Sequence, residues 1–162
     1  MQGGFLTYAL LIALATALLV AAFTDLRRRQ IDNWLNAAIA LGAPVFWFAT
    51  GLDLAGVGFQ LAIAAATFTV LAGLFALGAM GGGDVKLLSA LALWIEPLWF
   101  LKLVIVMALV GGVLTLIFGG MHLARRSREK VAIPYGIAIS FAGLWVLANQ
   151  YLPTFHSGPH LG

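Results

Sequence analysis

The chain alternates between long apolar runs and short polar breaks. Five runs, residues 4–24, 33–50, 56–79, 99–123 and 134–152, come close to the roughly 20 mostly apolar residues that a spanning helix needs. A shorter apolar stretch, residues 85–95, follows the run Gly81-Gly82-Gly83-Asp84. Glu96-Pro97 closes it, because proline breaks the hydrogen-bond ladder of a continuing helix, whereas Pro134 suits the first turn of the last run. The pattern predicts an all-α polytopic membrane protein of about six transmembrane helices. It forms a single domain over residues 1–162, with no linker, repeat or low-complexity tract.

The polar breaks orient the spans. Arg27, Arg28 and Arg29 fill one break, and Arg125, Arg126, Arg128 and Lys130 fill another. Basic loops of this kind lie on the cytoplasmic side of a membrane. With six spans both clusters and Lys86 share one face, and Lys102 alone lies near the other. A re-entrant fourth segment would separate the clusters, against that rule. Both termini are therefore expected outside, in the periplasm of a Gram-negative cell. The first run is not a secretory signal, since no positive region precedes it and its first charge is Asp25.

Composition agrees with this reading. Hydrophobic residues make up 62% of the chain, charged residues 9%, and the mean hydropathy is +1.02. Soluble domains carry about 45–50% apolar and about 25% charged residues. The net charge of +3 does not indicate nucleic-acid binding, because the basic residues sit between apolar runs. The absence of cysteine excludes disulfides, cysteine zinc sites and thiol catalysis within these residues.

Acidic residues are few: Asp25, Asp32, Asp53, Asp84, Glu96 and Glu129. Asp53 and Glu96 fall outside the membrane, Glu129 sits in a basic loop, and Asp32 is placed to cap the second span. Asp25 and Asp84 stand at the cytoplasmic boundary, one closing the first span and one opening the fourth. Taken singly, Asp25 suits a salt bridge to Arg28 or Arg29, and Asp84 suits a helix cap. As a pair on one face they suit joint chemistry, since ionisable groups at membrane depth are costly and mark function. Two close carboxyl groups share one proton. One then acts as general base on water while the other donates to a scissile carbonyl. Gly81, Gly82 and Gly83 would let a substrate backbone approach Asp84. A phosphate-binding loop is the rival reading, but the lysine-serine/threonine ending is missing and an aspartate would repel phosphate.

These residues resemble a known family. Gly81-Gly82-Gly83-Asp84 resembles the G-x-G-D motif of membrane aspartyl proteases, among them the prepilin peptidases. Asp25-Leu26-Arg27 with Ile31 and Asn33 resembles the first-aspartate motif of prepilin peptidases, D-x-R-x-x-x-I-P-N. Lys86 matches the lysine after the second aspartate, and Pro134-Tyr135-Gly136 with Ala138-Ile139 resembles the late P-Y/F-G-x-A-I motif. Asp32 departs from the pattern by standing where the family has proline, and so adds a third carboxylate near Asp25. The length and the early Asp25 are most similar to the short form serving Flp (tight-adherence) pili. The resemblance implies an inner-membrane aspartic endopeptidase that cuts the leader from prepilins or pseudopilins at the cytoplasmic face, after a glycine. It implies no N-methylation, because the chain has neither the cysteine-bearing cytoplasmic region of the long form nor any cysteine. On it, Asp25 and Asp84 are the catalytic pair, Gly81 and Gly83 shape the second site, and Arg27, Asn33, Lys86, Pro134, Tyr135 and Gly136 are further motif positions. No metal or cofactor is expected. The expected partners are the substrate and the bilayer.

Two other classes compete with this reading. Intramembrane carboxylates also build proton-coupled transporters, but those need acids near the midplane. A silent scaffold of a pilus or secretion assembly needs a docking surface, and the loops here are short. His122 suits a helix C-terminus, and His156 and His160 fall in the tail. The tryptophans Trp34, Trp47, Trp94, Trp99 and Trp145 lie mostly near span ends, as an aromatic belt would.

Overall fold

A computed structural model describes residues 4–125 and 135–151, with side chains 118–125 excepted. Pro134, the basic positions Arg126, Arg128 and Lys130, Glu129, His156 and His160 lie outside the described residues, as do the side chains of His122 and Arg125. Among the described residues the chain forms six helices and no strand: α1 (Phe5–Arg28), α2 (Asn33–Thr50), α3 (Leu54–Ala76), α4 (Gly82–Leu91), α5 (Pro97–Arg125) and α6 (Tyr135–Tyr151). Three stretches are long and apolar enough to cross a membrane: Phe5–Arg28, Leu54–Ala76 and Pro97–Ile117. Helix is the expected form for such stretches, because it satisfies every backbone group within the segment.

Helix ends differ from the sequence expectation in ways that matter for the site. α1 continues one turn past residue 24, so Asp25 lies inside its last turn. Arg29 then ends the helix in the left-handed conformation, at φ 52°. Asp53, for which the sequence suggested no structural part, caps α3 by accepting the Gly56 N–H at 2.8 Å. α3 stops three residues before residue 79, and Gly78 turns the chain at φ +71°. α4 begins at Gly82, three residues before the apolar stretch, so that Asp84 occupies its first turn. The N-cap of α4 is Gly81, which corrects the reading of Asp84 as the capping residue. Asp32 does hold the N-cap position of α2, but its side chain makes no capping bond.

The shortest helix is the centre of the fold. α4 packs against α2, α3 and α6, while α1 packs on α2 and α6, and α5 on α6. Leu87, Leu88 and Leu91 of α4 and the following Ile95 are fully buried against Leu18, Leu103, Ile139 and Val146. The outer faces carry the reverse pattern: Ile12, Leu41, Phe48, Leu109 and Leu116 are all largely exposed. Lipid is as apolar as leucine, so close packing and buried hydrogen bonds, rather than water expulsion, hold such a bundle together.

Buried hydrogen bonds also satisfy the backbone where this ten-residue helix ends. Beyond Leu91 the backbone leaves the helix inside the bundle, and its carbonyls take protein donors. Buried Gln60 of α3 donates to Ala92 O at 2.7 Å and Ile95 O at 2.6 Å. Trp47 Nε1 donates to Leu93 O at 2.8 Å, and Trp94 Nε1 donates back to Ile39 O at 2.8 Å. Non-helical backbone is tolerated within a membrane only where protein groups satisfy it in this way.

Candidate active site

Four helix ends meet at one end of the bundle. The last turn of α1 supplies Asp25 and Arg29, and the start of α2 supplies Asp32 and Asn33. The α3–α4 turn and the first turn of α4 supply Gly78 to Asp84, and the start of α6 supplies Tyr135. Together they line a cavity of about 740 Å³. Thr7, Glu96, Gln150 and Tyr151 line a separate cavity at the other helix ends. The two aspartates therefore share one end of the molecule and one cavity, although 59 positions separate them in sequence.

Asp25 is the more enclosed of the two, 6% exposed, and its Oδ2 is buried without a satisfied hydrogen bond. The backbone N–H groups of Gly136 and Ile137 face its carboxyl group from the first turn of α6, where the helix dipole favours an anion. That approach is possible because residue 136 is glycine. A Cβ there would lie 2.8 Å from both Asp25 Cγ and Oδ2. Arg29 acts on the same carboxyl through its charge.

Asp84 stands just before the apolar stretch and reaches back over its own helix start. Its carboxyl group accepts from the Gly81 N–H, and Oδ2 lies 2.9 Å from where a Gly81 Cβ would be. The Asp25 carboxyl group lies close enough to act on it through its charge. Two carboxyl groups that open on one cavity and feel each other's charge can hold one proton between them. The ionised member can then take a proton from water while its partner donates to a carbonyl oxygen.

The other motif positions divide. Gly81, Gly83, Asn33 and Tyr135 line the cavity, and Gly136 backs Asp25. Arg27 does not line it. Its guanidinium sits over the Phe23 ring, 4.6 Å from the centroid. Lys86 does not line it either, and donates from Nζ to Asn33 Oδ1 at 2.7 Å. Asp32, the departure from the family pattern, is a cavity residue. Sequence reasoning missed Gln60, whose one readable signal was an amide inside an otherwise apolar run. It also missed Asn36, buried at 5% exposure one helical turn from Asn33. Among the described residues no three His, Cys, Asp or Glu side chains gather as a metal set.

Comparison with known proteins adds a family. No curated protein and no solved structure matches the chain. The sequence model of the type IV leader peptidase family matches residues 12–119, two thirds of the chain, a range that contains both Asp25 and Asp84. The matched region also holds the cavity's contributions from α1, α2 and α4. This protein belongs to the type IV leader peptidase family.

Proposed function

We propose that the protein is an aspartic-type endopeptidase of the bacterial inner membrane. It removes the leader of prepilins or pseudopilins, of the Flp pilus type, at the cytoplasmic face and without methylating the new terminus. Asp25 and Asp84 are the catalytic pair. The observation that carries this reading is their opening on one polar cavity. The family supplies the peptidase activity and the leader substrate. The pair supplies the aspartic chemistry, and the cysteine-free composition supports proteolysis alone.

In this reading the chain is one membrane domain that crosses six times with both termini outside. The arginines that follow Asp25 lie at the cavity end of α1, where the positive-inside rule puts cytoplasm. Gly81 keeps the approach to Asp84 open, Gly83 lets the start of α4 pack on Ile31, and Tyr135 and Asn33 form cavity wall. No metal or cofactor takes part. A substrate chain extended along the cavity would present its carbonyl between the two carboxyls.

The test is coexpression with a Flp-type prepilin, with leader removal followed as a mobility shift. Asp25→Ala and Asp84→Ala should each abolish processing while the proteins still reach the membrane. Full processing by either variant would overturn the assignment of that residue, and full processing by both would overturn the aspartic mechanism.

A further inference from the structure

A second groove, of about 450 Å³, runs down the outside of the bundle. α2 and α3 form its walls and α4 its floor. Both walls pack on α4 and make little contact with each other. The groove touches the catalytic cavity only through Asn33, which lines both.

Its lining is graded. At the cavity end stand Asn33 and Lys86, and one turn deeper stand Asn36 and Ser89. Beyond them the walls are Ala40, Ala64, Phe68 and Leu93. From residue 33 to residue 40 a helix rises about 10 Å. Over that length the groove passes from a cation to alkyl surface.

Two features of the polar end call for a partner. Lys86 is exposed, its one bond goes to the neutral Asn33 Oδ1, and among the described residues no carboxylate pairs with it. Asn36 lines the groove at 5% exposure, and neither Nδ2 nor Oδ1 has a hydrogen-bond partner. A buried amide left unmade on both sides is costly, and native structures supply it with something.

We propose that this groove binds one anionic phospholipid, with phosphate at Lys86, the glycerol region at Asn36 and an acyl chain over Ala40 and Ala64 towards Leu93. The chemistry fits each position. The ammonium takes the phosphate as a charge-assisted bond. Asn36 Nδ2 donates to an ester carbonyl, and Oδ1 accepts from a headgroup hydroxyl such as that of phosphatidylglycerol. A zwitterionic headgroup brings a second ammonium towards Lys86 and is disfavoured. An apolar peptide helix is the weaker fit, because it satisfies its backbone internally and leaves Asn36 and Lys86 unanswered. The inference does not depend on the peptidase reading, and its test does not use cleavage.

The full chain, purified in detergent, is offered equal phosphatidylglycerol and phosphatidylcholine, and retained lipid is counted by native mass spectrometry. One phosphatidylglycerol should be held with about tenfold preference, the value of one hydrogen bond to a charged group. Lys86→Gln should reduce that preference to near parity. Ala37→Phe, at an exposed position on the groove wall, should block retention of both lipids while circular dichroism stays unchanged. Inorganic phosphate and glycerol phosphate should not be retained. Equal retention of the two lipids, unchanged preference in Lys86→Gln, or retention of free phosphate to the same degree would each overturn the proposal.

Discussion

The Asp25 carboxyl group and the α-carbon of Gly136 approach so closely that a single methyl group on residue 136 would sit 2.8 Å from Asp25 Cγ. This contact ties the end of α1 to the start of α6 and aims two backbone N–H groups at one carboxyl. Gly136→Ala should therefore displace Asp25 or push α6 away. Overpacking of this kind costs about 1–3 kcal/mol. Leader cleavage should fall at least tenfold, checked by timed processing of a prepilin in membranes, with folding monitored by thermal melting. Parental rates in Gly136→Ala would refute the role given to this contact.

Gly81 offers a different separation of stability from activity. A Cβ there meets Asp84 Oδ2 at 2.9 Å, and that atom is the free end of a side chain that can swing away. Gly81→Ala should leave the melting temperature nearly unchanged while sharply lowering cleavage. Gly82→Ala meets only the edge of the Phe75 ring, at 3.3 Å, and should be milder in activity. The reverse order of activities would contradict the placement of the Asp84 carboxyl.

Asp25 and Asp84 tie cleavage to pH. They open on one cavity, so the pair works with one carboxyl ionised and the other protonated. Cleavage should therefore fall on the acid side, where both are protonated, and on the alkaline side, where the shared proton leaves. Timed processing of a prepilin in membranes buffered across the pH range checks this. A flat profile would argue against a shared proton.

Gln60 should behave as a structural residue. Gln60→Leu leaves Ala92 O and Ile95 O without their donor in a buried setting. The expected loss is about 1–3 kcal/mol. The KM for prepilin should be unchanged in the fraction that remains folded. A change in KM without a change in melting temperature would place Gln60 in substrate binding instead.

How much of this was legible beforehand differs by feature, for physical reasons. The apolar runs fixed helix existence and number, because a twenty-residue apolar stretch in lipid has few other ways to satisfy its backbone. The scarcity of acids singled out Asp25 and Asp84. Helix ends were less legible. A helix cap suits Asp84 when its local spacing is taken singly, yet Gly81 holds that place, because α4 starts inside the glycine run. Nor could the length of the 85–95 stretch reveal how a short helix is completed, since the donors that complete it come from Trp47 and Gln60, 46 and 32 positions away from their partners.

The sequence by itself determined an all-helical chain with long apolar helices, its family, and two carboxyl groups at helix ends, because composition and local spacing act within a segment. Only the tertiary structure decided that Asp25 and Asp84 open on one cavity, that Gly136 gives Asp25 its backbone donors, and that Lys86 turns towards Asn33 and an outer groove. These depend on how α1, α2, α4 and α6 cross. Crossing is set by close packing around α4 and by hydrogen bonds between residues far apart in the chain, which no local pattern encodes.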